Sequence, residues 1–411
     1  MALTSPTSAG QPTGTDQPRT GVLLLAVLVA FCAQQVLLPA LAPFARETGL
    51  TETQLGLTIG VAAAVLVLAA PWWARRCTTL GPRAVLVTGL TVALAGLTAF
   101  GAVATLALAG DIDPTLTFVL MLATRGVLFG AGLAAVPVAA LAIVVAGSTA
   151  QERTGAVGKL GAAQGLAIVL GPAIGAVVAF AGLLGPVWAA PAAVLAALLL
   201  MIVLVPPSVV AGPPPGGGPA RLRPWDPRVR SVLLVGFLLY TGLGLVLLTI
   251  GFAVQDRGGL DADAAARVTG AIIFACGLVL AASQGVLVPK VRWKPRRLMM
   301  VGTPIAAAGL LGIAVVPGVW GIGAAMLVVA AGMGIATPGY TAAPSMVVEE
   351  HEQASAAGLL TATNGLAFVA GPALGGALYA VSYPLPFAVA GIMVLLGLML
   401  LLADRGAAAE G

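Results

Sequence analysis

The chain has 411 residues, of which 59% are hydrophobic and only 9% are charged, and its mean hydropathy is +1.05. Charged residues approach a quarter of a soluble globular domain, so this composition excludes that class. The net charge of +5 does not indicate nucleic-acid binding, because the basic residues lie between apolar runs, where they set the orientation of a membrane protein.

Twelve apolar runs are each long enough to cross a hydrocarbon core about 30 Å thick. The predicted spans are 21–43, 54–73, 84–109, 115–146, 155–181, 187–205, 231–254, 264–288, 299–317, 319–347, 355–381 and 385–403. Residues 1–20 are polar and predict a disordered cytoplasmic tail. The first span is predicted to be retained, because no small-residue cleavage site follows it. The fold class that follows is an all-α membrane protein.

Residues 206–230 are rich in Pro, Gly and Arg without apolar periodicity, which predicts an irregular cytoplasmic linker with room for a short amphipathic piece near its end. The linker separates one six-helix bundle, 21–205, from a second, 231–404, and residues 405–411 form a second cytoplasmic tail. With both termini in the cytoplasm, 16 Lys and Arg fall in inner segments and three in outer segments. This split predicts a multi-pass protein of the cytoplasmic membrane in that orientation.

The segment 152–175 recurs 200 residues later, at 352–375, with 13 of 24 positions identical and no gap. Two copies of one membrane helix at that separation indicate two halves of one molecule. A parallel duplication of this kind predicts two six-helix bundles related by a pseudo-twofold axis along the membrane normal.

Glycine and proline dominate the repeat. Glycines let another backbone approach closely in lipid, and an internal proline bends a helix. The spacing G-x(8)-G-x(3)-G-P-x(2)-G-G resembles the antiporter motif of the major facilitator superfamily, in its drug:proton antiporter branch. Its positions are Gly158, Ala167, Gly171, Pro172, Gly175 and Ala176 in the first copy, and Gly358, Ala367, Gly371, Pro372, Gly375 and Gly376 in the second. The resemblance implies the major facilitator fold, alternating access, and a conformational role for these residues; ordinary helix packing is the simpler interpretation of any one glycine.

The loop after the second span, 74–83, resembles a second motif of the same family, G-x-L-a-D-r-x-G-r-[RK]. Gly81 and Arg83 match it, and the resemblance implies that they belong to an inner-loop gate. The acidic position of the motif is Thr78, and the corresponding basic loop of the second half, 290–297, also lacks an acid. The alternative for these arginines is orientation and lipid-phosphate anchoring.

Arg125 lies about ten residues into the fourth span, ~15 Å deep at 1.5 Å per residue. A charge at that depth costs roughly 2.5–3.5 kcal/mol or more unless it is paired or wetted, so we expect it to face the bundle interior. The family has an arginine here in the pattern R-x-x-x-G, and Gly130 stands one place late. The resemblance implies proton coupling or substrate contact; the alternative is a structural arginine bonded to carbonyls of neighbouring helices.

No Asp or Glu lies inside any of the twelve predicted spans, and the only histidine, His351, falls in a loop. Proton antiport needs a group that titrates in the pathway. Proton coupling therefore rests on the resemblance alone. A water near Arg125, an acid at a loop edge, or an acidic substrate could replace the missing group.

Uncharged polar residues complete the candidate substrate site: Gln34, Gln35, Gln164, Tyr240 and Asn364. Three of them, Gln164, Tyr240 and Asn364, lie ~14 Å from the inner face, near the midplane where transporter sites form. The resemblance implies that their helices line the central cavity. Interhelical hydrogen bonding without substrate contact is the alternative. Ser283, Gln284 and Tyr340 are weaker candidates.

These features predict a secondary active transporter, a proton-coupled exporter of drug-like or amphipathic compounds, whose partners are a small-molecule substrate, protons and membrane lipids. An importer or uniporter of a neutral or anionic solute is the first alternative, and a polytopic membrane protein without transport is the second. The sequence offers no nucleotide-binding loop, catalytic constellation or metal-ligand spacing. We therefore expect a monomer that is not an enzyme and that carries no cofactor or metal.

Overall fold

The structure is a computed structural model that describes residues 20–146, 150–204, 222–349 and 352–403. Within these residues the secondary structure is helical without strands, and twelve helices are long and apolar enough to cross a membrane. They are α1 (Gly21–Glu47, with a turn at Leu37), α2 (Glu52–Leu80), α3 (Pro82–Ala109), α4 (Pro114–Ala146), α5 (Ala150–Val178), α6 (Leu184–Leu204), α7 (Arg230–Gly258), α8 (Ala262–Val291), α9 (Pro295–Val315), α10 (Gly318–Val347), α11 (Gln353–Val381) and α12 (Leu385–Ala403). The predicted all-α fold with twelve spans is confirmed.

The predicted tails and most of the predicted linker lie outside the described residues. The end of the bundle where α6 stops and α7 starts is called the linker end below, and the opposite end is called the far end. Helices α1 to α6 form the N half, and α7 to α12 form the C half.

Helix ends at the far end are fixed by side-chain caps. Thr51 and Gln54 form a reciprocal capping box at the start of α2. Asp113 accepts hydrogen bonds from two backbone N–H groups in the first turn of α4, and Asp261 accepts one in the first turn of α8. These caps satisfy donors that have no partner inside the helix.

The two halves repeat one packing scheme. Helix α5 packs on α1 as α11 packs on α7, and α6 packs on α1 and α3 as α12 packs on α7 and α9. Helices α3 and α4 cross where Gly89 faces the backbone of Gly132, and the equivalent helices α9 and α10 cross where Gly302 faces Gly332. At each crossing a Cβ added to either glycine would lie within 3 Å of the opposite backbone, so the missing side chains set the helix separation. The predicted pair of pseudo-symmetric bundles is confirmed.

Several helices run further than predicted, and one expectation from the sequence is corrected as a result. Helices α1, α2, α7 and α8 extend further at the far end than predicted, so four acids lie in their terminal turns: Glu47, Glu52, Asp256 and Asp263. The expectation that no acid lies in a span is therefore wrong at the far end. Arg46 neutralises two of these carboxylates, Glu52 and Asp256, through ion pairs.

The described end of the linker, residues 222–229, forms turns and is held by the C half. The backbone N–H of Leu222 donates to Ser355 Oγ at 3.0 Å, and Arg228 binds both Asp226 and Glu352 through its guanidinium. The hydrogen bond from Arg228 holds the pKa of Asp226 below its usual range. Hydrogen bonds to Asp226 and Glu352 raise the pKa of Arg228, so this arginine stays charged at every working pH.

Candidate substrate site and moving interfaces

Arg125 lies in a π-helical turn of α4, Leu122–Leu128. Its side chain is 5% exposed, and its guanidinium carbon lies 4.6 Å from the centroid of the Phe129 ring, one turn later on the same helix. A π turn contains one more residue than an α turn. Arg125 and Gly130, five residues apart, therefore lie one turn apart on the same face, as residues four apart do in an α-helix. The one-place shift of the glycine, seen in the sequence, is thereby accommodated. Gly130 itself packs on the backbone of Ala62 in α2.

The guanidinium of Arg125 lacks the partners that its burial demands. Among the described residues, its Nε is fully buried without a hydrogen-bond partner. The stacking on Phe129 is a cation–π contact, which recovers only part of the cost of burying a charge. Neither of the amides proposed as partners, Gln34 and Gln35 on α1, hydrogen-bonds to Arg125 within the described part of the chain. The site therefore has an unused donor that suits water or an anionic group.

The polar candidates of the C half form one cluster. The Tyr340 hydroxyl on α10 donates to Asn364 Oδ1 on α11 at 2.9 Å. The ring of Tyr240 on α7 lies 5.6 Å from the Tyr340 ring and 5.9 Å from the Phe368 ring. Gly236 on α7 leaves the space that the Tyr340 ring occupies. Tyr240 and Phe368 are partly exposed and Tyr340 is fully buried, so two of the three rings can face a ligand. The NH₂ group of Asn364 beside them donates no hydrogen bond within the described residues.

Gln164 on α5, the counterpart of Asn364 in the repeat, is partly buried. Two of the weaker candidates have hydrogen-bond partners. Ser283 donates to a carbonyl of its own helix, and Gln284 donates to Thr337 at 3.0 Å. The structure thus joins Tyr240 and Asn364 in one cluster, whereas it does not connect Gln164, Gln34 or Gln35 to that cluster by described hydrogen bonds.

The repeated glycines hold each half together in the same way. Gly171 and Gly175 of α5 face residues 32–36 of α1, and a Cβ at either position would collide with α1. Gly371 of α11 lies against Gly244 of α7, where an added Cβ would come 2.8 Å from the Gly244 Cα. Gly375 faces the backbone of Leu245 in the same manner. This is the close approach that the motif predicts.

The same helices carry the contacts between the halves. On one side, α2 meets α11: a Cβ at Gly60 would lie 2.9 Å from the Val369 carbonyl, and Gly376 faces the backbone of Glu52. On the other side, α5 meets α8, where a Cβ at Gly277 would lie 2.9 Å from Val169 and one at Gly270 would lie 2.5 Å from Ala176. All of these residues lie in the middle or far-end part of their helices.

Towards the linker end, several glycines of the same helices face no described neighbour. Gly158, Gly161 and Gly165 on α5, Gly285 on α8 and Gly358 on α11 have no described atom of another element within 4 Å of where a Cβ would stand. Gly158 and Gly358 are also exposed. Within the described residues, the halves contact each other in the middle and at the far end, and none of these five glycines adds a contact towards the linker end. The first glycines of the two motif copies, Gly158 and Gly358, are among these positions.

Comparison with known proteins agrees with this architecture. The sequence model of the Major Facilitator Superfamily matches residues 23–357 and, in a second overlapping match, residues 291–410. The chain belongs to the Major Facilitator Superfamily. It is thus a membrane transporter and not an enzyme. A comparison with curated proteins gives no match.

Two solved structures of this superfamily share the fold. The human organic anion transporter MFSD10 (TETRAN) is 20% identical, covers 95% of this chain over 100% of its own length, and has a TM-score of 0.64. A bacterial homologue of the human lysosomal transporter Spinster, solved in an inward-facing and occupied conformation, is 14% identical, covers 95% of this chain over 98% of its own, and has a TM-score of 0.69. At these identities the likeness establishes the fold alone.

The inner-loop residues of the superfamily motif make contacts within the N half. Gly81 joins α2 to α3 with a φ of +84°, a conformation that favours glycine. Arg83 donates to the carbonyl of Ile202, near the end of α6. Thr78, at the acidic position of the motif, donates to the carbonyl of Arg75 in its own helix. The gate role of Gly81 and Arg83 stays a prediction.

Sequence reasoning missed Phe368 and a group of charged residues at the far end. Phe368 carried a signal, because it lies one turn after Asn364 on the same face of α11. The charged group consists of Arg46, Glu52 and Asp256, with Tyr379. Each of its charged members sits at the end of a span, where sequence alone places a solvated loop.

Proposed function

We propose that this transporter exports small amphipathic organic molecules by alternating access in exchange for protons, with its linker end in the cytoplasm. The observation that carries the proposal is that the described contacts between the halves lie in the middle and at the far end, whereas the first glycines of the repeated motif are exposed at the linker end. A binding cleft that is accessible from the cytoplasm suits a carrier that binds its substrate on that side. The excess of Lys and Arg at the linker end supports the orientation.

The chemistry of the candidate site supports an amphipathic substrate. Tyr240 and Phe368 present partly exposed aromatic faces, and Asn364, which the fully buried Tyr340 holds through its hydroxyl, offers a hydrogen-bond donor beside them. Pockets for organic ligands combine apolar walls with a few placed polar groups in this way. The N half adds Arg125 as the one buried cation among the described residues, which favours substrates with an acidic or strongly electron-rich group.

The test is transport into proteoliposomes that carry an imposed pH gradient, with a panel of cationic, neutral and anionic amphipathic compounds. We expect accumulation that follows the gradient and collapses when a protonophore dissipates it. Protein-free liposomes and the Arg125→Ala variant serve as controls. Accumulation that ignores the gradient would reject proton coupling, and uptake of none of the compounds would reject the substrate class.

A second candidate function is import or facilitated passage of an anionic solute. The buried Nε of Arg125, which has no partner in the described residues, favours it. The name of the similar MFSD10 structure, an organic anion transporter, agrees with this candidate. The same liposomes separate the two functions: an anion carrier of this kind equilibrates labelled anions without a pH gradient, and added unlabelled anion competes with the label.

A further inference from the structure

An ion-pair network at the far end joins the two halves. Arg46, in the last turn of α1, donates from Nη1 to Asp256 Oδ1 at 2.8 Å and from Nη2 to Asp256 Oδ2 at 3.0 Å. Asp256 lies in the last turn of α7, so this two-pronged pair links the first helix of one half to the first helix of the other. Such planar, charge-assisted pairs are among the stronger hydrogen bonds in proteins, and their geometry is specific.

Neighbouring groups hold both partners in position. Arg46 also donates to Glu52 at the start of α2, at 2.9 Å, and its guanidinium carbon lies 5.2 Å from the centroid of the Phe252 ring. On the other side, the Tyr379 hydroxyl of α11 donates to Asp256 Oδ2 at 2.7 Å. The network thus ties α1 and α2 to α7 and α11, the helices whose far ends have to separate if the far end is to open.

The geometry points to Arg46 and Asp256 as the gating pair that holds the far end shut during the transport cycle. Both side chains are about a third exposed, 34% for Arg46 and 35% for Asp256. Water can therefore replace the pair when it breaks, at modest cost, whereas a fully buried pair would leave two stranded charges. This suits a contact that must form and break once in each cycle.

This assignment goes beyond the proposed function, because it requires neither a particular substrate nor a coupled proton. It predicts that the resting carrier is closed at the far end because of this pair. Neutralising the pair should move the equilibrium towards the state that is open at the far end. A purely structural pair would instead lower stability without changing the balance between the two open states.

The experiment measures spin-label distances by pulsed electron paramagnetic resonance in lipid nanodiscs. All labelled variants are made in a protein whose native cysteines, Cys32, Cys77 and Cys276, are replaced with alanine. One label pair reports on the far end, Asp111→Cys with Trp320→Cys, and a second reports on the linker end, Thr79→Cys with Lys290→Cys; all four sites are exposed. In Asp256→Asn and in Arg46→Gln we expect the far-end distance to lengthen and the linker-end distance to shorten. The ratio of the two states should change roughly 5-fold.

Two controls separate gating from general damage. Arg257→Gln removes the adjacent cation, which stacks over Tyr383 within the C half, and should leave both distances unchanged. The exchange Arg46→Asp with Asp256→Arg is made together with Glu52→Gln, so that the new carboxylate at position 46 does not face that of Glu52. It should restore the distribution of Glu52→Gln alone, because the pair re-forms with its charges reversed. Unchanged distances in both single variants, or an exchanged protein that behaves like them, would overturn the assignment. If one single variant does not fold, the other and the exchange still decide.

Discussion

The two halves of this transporter share their packing and differ in where the small residues stand. Helix α11 meets α2 through a glycine of its own motif, Gly376, which faces Glu52. Helix α5 carries Ala176 at the equivalent position, and there its partner α8 supplies the glycine, Gly270. The departure from the motif is thus compensated across the interface. Close approach is a property of the helix pair, so a missing motif glycine need not mean a lost contact.

The halves also differ in the chemistry that they bring to the candidate site. Among the described residues, the N half contributes a single buried cation, Arg125, whose Nε has no hydrogen-bond partner. The C half contributes the uncharged cluster of Tyr240, Tyr340, Asn364 and Phe368. A cation on one wall and aromatic rings with an amide on the other suit a substrate with a polar end and an apolar end. We therefore expect the N half to govern whether transport occurs and the C half to govern which compound is preferred.

Of the variants that test this comparison of the two halves, Arg125→Ala is expected to have the largest effect on transport. We expect transport to fall to the background of empty liposomes, because the buried cation is unique among the described residues of the candidate site. Expression and thermal stability should stay nearly unchanged, since no described hydrogen bond is lost. Initial transport rates and melting temperature in detergent measure the two expectations.

Arg125→Lys sharpens the same prediction. It keeps the charge and loses the planar fork, so it should retain part of the activity. Normal transport by Arg125→Ala would make the residue a spectator. Unfolding of both variants would instead show that Arg125 is needed for the structure. In either case its assignment to the substrate site would be wrong.

The repeat was strong evidence for the fold because thirteen identical positions, spaced without a gap, constrain which helices are equivalent. The far-end network could not be predicted in that way. Arg46 and Asp256 are 210 residues apart and lie in different halves, and each looks like a solvated residue at the end of an apolar run. Likewise, the sequence shows Ala176 only as a departure from the motif, because it does not reveal that Gly270 of α8 lies opposite. Contacts between the halves depend on helix register, which hydropathy does not encode.

Gly376→Ala should have the next largest effect, because its methyl group would be forced against the backbone of Glu52. Overpacking of this kind costs about 1–3 kcal/mol. It acts where the halves meet, so the closed far end should be destabilised and the maximal transport rate should fall roughly 10-fold. Transport kinetics and thermal unfolding report the two effects.

Ala176→Gly is the matched change on α5. It removes a methyl group without adding a collision, so only the intrinsic cost of a helical glycine remains, about 0.5–1 kcal/mol. Gly270→Ala, on the partner helix, should behave like Gly376→Ala. Equal effects of Gly376→Ala and Ala176→Gly would show that Gly270 does not compensate for the missing glycine at position 176.

Tyr340→Phe tests the C half with a smaller change. The ring and its packing remain, and Asn364 loses the hydroxyl that fixes its orientation. The lost hydrogen bond is worth about 1 kcal/mol, so we expect KM to change several-fold with little change in the maximal rate. The order of preference among compounds should change as well. A lower maximal rate at unchanged KM would place Tyr340 outside the substrate site.

The smallest expected effect concerns the linker. Its described part, residues 222–229, is attached to the C half by the Arg228–Glu352 ion pair and by the hydrogen bond from Leu222 to Ser355, and Asp226 holds Arg228 in place. The pKa of Asp226 is depressed in the folded protein by Arg228, so its contribution is complete above the unfolded value and is lost as pH falls through the folded value. Hydrogen exchange of amides 222–230, corrected for intrinsic rates, should thus be constant from pH 8 to 5 and rise only below about pH 4. Arg228→Gln should raise exchange at pH 7 by less than about 5-fold, because the pair is solvent-exposed, and Arg230→Gln should leave it unchanged. Equal exchange in all three proteins would mean that the linker is held by its backbone contact to Ser355 and that the charges are incidental.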